Sequence, residues 1–386
     1  MKKLLALIAL VLMSASPAPA PTPSPEPRWT RPQVERLIRW MSIAADEALT
    51  PMAADVPALR AAMNGDDPDG MSRAATGAAA RLLTALREGC CNAALRGGWH
   101  IAEDRTWPDA RASIAQALAR TDGLDALFAE ARPSHPYYAA LRAAYAREAN
   151  PARRAALAAN LDRWRWMPRD LGARYLLVNT AAYEATLWQD RRIVGRWSVI
   201  VGKTGSPTPV FQASVTGVTF NPWWEIPASI ARESVAGLVA RNPARAARQG
   251  YVREGGRYRQ RPGPNNALGR MKLVMPNRFS VYLHDTPAQA LFARSVRAYS
   301  HGCIRVGDAL GLATTLLAGD GRWTRAETDA AVASGRTQTV PLPSPIPVYI
   351  TYFTAEPDEL GAIRYFDDVY HRDSGAAAPR ADGTCQ

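Results

Sequence analysis

Near Trp166 the hydrophobic pattern of this chain changes period, and that change limits the folds open to it. From about Arg31 to Arg165, apolar residues recur at helical spacing in Ala-, Leu- and Arg-rich segments, among them RPQVERLIRWMSIAADEAL, GAAARLLTALREG and YAALRAAYARE. NPARRAALAANLDRWRWMP is a further helix, with Asn150 and Pro151 as its start signal. Beyond Trp166 the runs become short, β-branched and aromatic. RYLLVNT, YEATLWQ, RIVGRWSVIVG, QASVTGVTF, MKLVM, FSVYLHD and PVYITYFT read as strands with turn residues between them. Helices gathered before strands predict an α+β chain. We place a helical domain at 31–165, a β-rich domain at 166–354 and a C-terminal extension at 355–386. Two helix-like stretches interrupt the strands. One, at 228–249, belongs to an insertion running to 262. The other, at 308–318, has Asp308 as its N-cap. A chain of 386 residues has room for two domains with a core in the second.

The N-terminus predicts export. MKK is a basic start, LLALIALVLM a short apolar run, and Ala18-Pro19-Ala20 fits a small-residue cleavage pattern. We read 1–20 as a signal peptide, with an uncleaved N-terminal anchor as the alternative because Pro21 follows directly. Residues 21–30 begin with PTPSPEPR, a stiff Pro-rich linker. Export permits disulfides, and the four cysteines are Cys90, Cys91, Cys303 and Cys385. Cys90 or Cys91 is a candidate to pair with Cys385. No C-x-x-C pair is present, so no structural zinc site is expected. The formal charge of +12 suits anionic partners such as a cell wall or membrane surface. The arginines are scattered without a basic block, so no nucleic-acid partner is expected.

Chemistry concentrates around Cys303, in AYSHGCIRVGDA. A thiol attacks as thiolate and needs a base or a positive field beside it. His301 stands two residues away. His284, in YLHDTP, ends a strand pattern, and the fifteen residues 285–299 are enough to return the chain to the same strand end. A Cys with a His from a neighbouring strand is the arrangement of a cysteine nucleophile. Two other readings stay open on the residues alone: a small buried Cys with incidental histidines, and a zinc site of Cys303, His301 and His284. Gly302 speaks for the nucleophile, since a glycine lets the backbone approach a substrate closely.

SHGCIR together with the upstream YLHDTP resembles the signature of the L,D-transpeptidases that carry the YkuD domain. NPWWEIP, PGPNNALGRMKLVMPN, NLDRWRWMPRDLGARYLLVN and YFTAEPDELGAIRYFDDVYHRD resemble the larger, periplasmic YcbB-type branch, over roughly residues 160–373. The resemblance implies a mixed β-sandwich with short helices and a helical lid at 228–262, behind a helical scaffold. It also implies roles. Cys303 attacks a stem-peptide carbonyl of peptidoglycan and forms a thioester. His284 takes the thiol proton, and the backbone carbonyl of Asp285 orients its imidazole. Gly302 and Cys303 N–H groups form the oxyanion hole, while Ser300, His301 and Arg305 shape the substrate pocket. Arg305 is expected to hold either structure or a substrate carboxylate. The chain departs from the larger relatives in lacking a clear copy of their small peptidoglycan-binding module.

The expectation is therefore an exported, periplasmic L,D-transpeptidase that joins the third residues of two stem peptides, with no metal and no organic cofactor. Carbapenem-type β-lactams are the expected inhibitors. The alternatives are donation from residue 1 of the stem, an L,D-carboxypeptidase, and a wall-binding protein without activity. Arg232, Arg241, Arg245 and Arg248 with Gly250, Gly255 and Gly256 suggest that the insertion is a basic, hinged lid. The tryptophans of WRWMP and NPWWEIP are expected in the core or at a domain interface. His100, His135 and His371 are expected to be ordinary surface groups.

Overall fold

The structure is a computed structural model that describes residues 27–89, 96, 98–102, 106–321 and 323–373. The proposed signal peptide, most of the Pro-rich linker, Cys90, Cys91 and Cys385 lie outside the described residues.

The N-terminal part is built of α1 (Arg31–Ala44), α2 (Pro51–Ala54), α3 (Val56–Asn64), α4 (Pro68–Glu88), α5 (Ala110–Leu118), α6 (Gly123–Ala131), α7 (Pro136–Tyr145) and α8 (Pro151–Arg165). Local chemistry starts several of them. Asp67, Asp109 and Asn150 each accept a hydrogen bond from a backbone N–H three residues on, which satisfies an orphan donor of the first turn. Leu37, Met41, Leu82, Leu86 and Phe128 meet in one core. Glu47 is fully buried beside it and is held by Arg132, Arg142 and the Tyr138 hydroxyl. A buried carboxylate is tolerable only with such partners.

This part is not wholly helical. β1 (Trp99–His100) leaves it and pairs in parallel with β5 of the second domain, Trp99 against Val210 and His100 against Phe211. Two residues are too few to show a period, so the sequence pattern cannot reveal this strand.

The second domain contains β2 (Arg174–Asn179), β3 (Glu184–Gln189), β4 (Arg192–Gly202), β5 (Val210–Phe220), β6 (Trp224–Glu225), β7 (Tyr251–Glu254), β8 (Arg257–Gln260), β9 (Met271–Val274), β10 (Leu283–His284), β11 (Ala298–Ser300), β12 (Ile304–Val306) and β13 (Gln338–Thr351). The mixed sandwich that the resemblance implies takes the form of one sheet folded round. Its order is β1-β5-β13-β2-β3-β4-β12-β10-β9, and β9 pairs back onto β5, which closes the path. Most pairs are antiparallel, but β2–β13 and β10–β12 are parallel. Val199, Val218, Leu283, Ile304 and Ile350 line the core together with Leu312 and Leu316 of α12 (Ala309–Leu317). Asp308 caps α12 by accepting from the Gly311 N–H, as its position predicts. A second helix, α13 (Arg325–Ala333), follows.

Helix α8 joins the two parts. Trp164 is 1% exposed and stacks between His135 (centroids 4.1 Å apart) and Phe353 (4.8 Å). Asn160 accepts from the Thr354 N–H and donates to its hydroxyl. Trp164 thus sits at the interface, and Trp166 is buried against Ala159 and Trp99, in keeping with the expectation of core or interface. The expectation for one histidine, His135, is corrected here. His135 is half-buried and stacked on Trp164, within 2.9 Å of the Tyr175 hydroxyl, and desolvation of its ring lowers its pKa to about 3. His100 is exposed, as expected, at the end of β1 with its ring 5.1 Å from that of Phe279. The C-terminal segment adds β14 (Ala355–Pro357) paired with β15 (Ile363–Tyr365). Beyond them Arg163 donates to the Arg372 carbonyl, and the Tyr370 hydroxyl donates to the Gly202 carbonyl at 2.6 Å.

Candidate active site

Sheet register brings the candidate residues to one place. β10 lies between β9 and β12, with His284 opposite Lys272 on one side and Arg305 on the other. Cys303 immediately precedes β12, and the Ile304 N–H that follows it donates to the Tyr282 carbonyl at 3.0 Å. Thiol and imidazole therefore come from adjacent parallel strands. The loop 301–303 connects β11 to β12, which both pair with the end of β4.

Hydrogen bonds hold that loop from beneath. Ser300 is 2% exposed. Its hydroxyl accepts from the Gly302 N–H (3.0 Å) and donates to the Cys303 carbonyl (2.5 Å). The Gly302 carbonyl accepts from the Thr208 hydroxyl at 2.9 Å, which in turn accepts from the Gly202 N–H. Two expectations change as a result. Ser300 does not line a pocket but ties the loop. The Gly302 N–H is spent on Ser300 and is not free for an oxyanion, whereas the Cys303 N–H has no acceptor among the described residues. What Gly302 contributes is its φ of +113°, a left-handed conformation that a side chain would strain.

His284 is 4% exposed, and its Nδ1 lies 2.5 Å from the Asp285 carbonyl oxygen. A carbonyl only accepts, so Nδ1 carries the proton and Nε2 keeps its lone pair. Burial is the main cause lowering the His284 pKa to about 4, partly countered by that carbonyl, and the Arg305 cation pushes it down as well. The Asp285 carboxylate is turned away to Arg270, accepting from its backbone N–H (2.8 Å) and its Nε (2.9 Å). Gly269 makes room for it, since a Cβ there would stand 2.5 Å from that carboxylate.

The Cys303 Sγ is half-buried, 3.8 Å from the Ser280 carbonyl. Burial pushes its pKa up, while hydrogen bonding from Tyr282 and the charges of Arg305 and Lys272 pull the other way. Arg305 is half-buried and has no carboxylate partner among the described residues. His301 points elsewhere. Its Nε2 lies 2.9 Å from the Glu233 carboxylate of the insertion, and Glu233 also reaches Lys203 at 3.5 Å.

Tyr282, Lys272 and Glu233 were not among the residues singled out from sequence. Tyr282 carries a readable signal, since it stands two residues before His284 in the alternating FSVYLHD run. Its ring lies 5.7 Å from that of His284 and 5.4 Å from the Lys272 ammonium.

Residues 173–341 match the L,D-transpeptidase catalytic domain, YkuD, and residues 23–144 match a scaffold domain. This chain thus carries a YkuD L,D-transpeptidase catalytic domain behind a helical scaffold domain. Among known proteins it is similar to a candidate L,D-transpeptidase of Haemophilus influenzae, 32% identical over 238 residues. That match covers 56% of this chain and 48% of the relative, so the chain spans about half the relative's length. Solved structures overlap loosely. An L,D-transpeptidase from Mycobacterium smegmatis is 12% identical over 46% of this chain and 58% of its own, with a TM-score of 0.26. L,D-transpeptidase 3 from Mycobacterium tuberculosis, solved with a faropenem-derived adduct, is 16% identical over 46% of this chain and 60% of its own, with a TM-score of 0.25. Overlays this loose carry no weight for the chemistry of this chain.

Proposed function

We propose that this protein is a peptidoglycan L,D-transpeptidase working through a Cys303 thioester. The observation that carries the reading is the pairing of β10 with β12, which sets a neutral, Nδ1-protonated His284 on the strand beside the Cys303 thiol. His284 Nε2 takes the thiol proton as sulfur attacks a stem-peptide carbonyl. The Cys303 N–H faces the developing oxyanion. The protonated imidazole returns its proton to the departing D-residue amine, leaving the thioester. An amine of a second stem then attacks, with His284 again accepting the proton. Arg305, unpaired in the cleft, suits a substrate carboxylate. We take the third stem residue as the donor. The insertion over the cleft and the helical scaffold favour the YcbB-type branch, and the N-terminal pattern favours a periplasmic location.

Incubation of the purified protein with disaccharide-tetrapeptide, followed by tandem mass spectrometry, tests the reading. A dimer joined through two third residues is expected. Tripeptide alone would instead show an L,D-carboxypeptidase, and no product at all would favour a wall-binding protein. A carbapenem is expected to add one inhibitor mass to the parent protein and none to Cys303→Ala.

A further inference from the structure

The insertion at 228–262 carries eight arginines and two glutamates, with no lysine or aspartate. Its formal charge is 8 − 2 = +6, half of the +12 of the whole 386-residue chain, in 35 residues. Arg259 is half-buried and bonds Glu225 and Glu254. The other seven are exposed and have no carboxylate partner among the described residues. The segment is not a loose coil. After β6 come the short helical turn α9 (Ala228–Ile230), a π-helical turn (Ala231–Val235), α10 (Ala236–Arg241) and α11 (Pro243–Arg248), then the β7–β8 hairpin. Ile226, Ala231 and Val235 form a small core of their own with Tyr251 and Tyr258 packed against it. Glu233 fixes this unit to the loop of the proposed nucleophile through His301 and Lys203. The unit that bears these arginines is therefore tied to the loop that carries Cys303. Exposed like charges that neutralise nothing within the fold repel one another, and an anion from outside removes that repulsion.

We infer that the insertion is a docking surface for the carboxylates of a peptidoglycan strand, with Arg241, Arg245 and Arg248 as its main contacts. The inference rests on the reading that the cleft works on peptidoglycan. A planar guanidinium matches a carboxylate with two parallel hydrogen bonds, which favours the acidic stem peptides of the polymer. The tie between Glu233 and His301 favours the polymer that feeds the cleft over an anionic membrane, because it holds the arginines at the substrate's path.

The test is co-sedimentation of the full protein with insoluble peptidoglycan sacculi. The combined variant Arg241→Gln, Arg245→Gln, Arg248→Gln should bind about tenfold more weakly, since exposed guanidinium–carboxylate contacts each contribute a factor of a few. The combined control Arg60→Gln, Arg120→Gln, Arg147→Gln loses the same charge from exposed scaffold positions and should bind as the parent does. Sacculi whose carboxylates have been amidated should hold the parent poorly, an outcome that needs no variant to fold. Equal binding by parent and lid variant, equal loss in the control, or undiminished binding to amidated sacculi would each overturn the proposal. So would arginine-dependent binding to phosphatidylglycerol vesicles without binding to sacculi. If the parent makes no cross-linked product from soluble disaccharide-tetrapeptide, the transpeptidase reading itself fails, whatever the sacculi show.

Discussion

Burial acts on His284 and Cys303 in opposite senses. It lowers the imidazole pKa to about 4 and raises that of the thiol. At neutral pH the pair is thus uncharged, and proton transfer must accompany attack. kcat/KM should hold as pH falls to about 5, then decline through pH 4 as His284 takes up a proton and ceases to be a base. A pH–rate profile with its acid limb near pH 6.5 would contradict this. His284→Ala should cost about 100-fold or more in rate, the usual scale for a positioned base. Cys303→Ala should abolish product while the protein stays folded, read by circular dichroism and product analysis. These two residues were legible because a local motif carries them. Lys272 and Glu233 were not, since one arrives by sheet register and the other on an insertion separated from the Cys by some seventy positions.

A strand can be read from alternation yet be cut short by a competing side chain. FSVYLHD alternates over its length, but only Leu283 and His284 pair. Asn277 donates to the carbonyls of Met275 and Val281 and accepts from the N–H groups of Phe279 and Val281, so it replaces the ladder with a turn. Ser280, at φ +54°, points its carbonyl toward Cys303 within that turn. Gly302 sets the other side of the site. A Cβ there would meet nothing within 4 Å, so the penalty of Gly302→Ala lies in backbone conformation alone, about 1–3 kcal/mol. Relaxation would break the Gly302–Ser300 hydrogen bond and move the thiol. We expect kcat/KM to fall roughly 10–100-fold with only a small change in Tm.

Two predictions concern the molecule as a whole. The insertion has its own small core, apart from that of the sheet domain. Replacing residues 230–258 with a short Gly/Ser linker should leave the sheet folded and Cys303 reactive toward a small thiol reagent. With the cleft open to water, the product ratio should shift from cross-linked dimer to hydrolysed tripeptide. Circular dichroism and thiol titration distinguish this from simple unfolding, and an unchanged ratio in a folded variant would refute a covering role. The second prediction lies at the domain interface. An unfolded His135 would take up a proton below about pH 6.5, whereas the folded one stays neutral to about pH 3. Stability should therefore drop as pH falls across that window, by about 1.4 kcal/mol per unit for this proton. His284 adds to the drop down to about pH 4. His135→Gln should be less stable at pH 7, having lost the stack on Trp164, but should lose about 2 kcal/mol less between pH 6.5 and pH 5 in urea titrations.

Period and motif were enough to divide the chain into helices and strands, to find the caps at Asn150 and Asp308, and to single out Cys303 and His284. Each period, cap and short motif depends on residues a few positions apart, where spacing maps directly onto geometry. Tertiary structure decided the rest. It closed the sheet through β5 and β9, lent β1 across the domain boundary and stacked His135 on Trp164. It also turned Ser300 beneath the loop, spent the Gly302 N–H and brought Glu233 to His301. Those outcomes depend on which distant groups compete for one donor or one buried surface, and no local pattern records that competition.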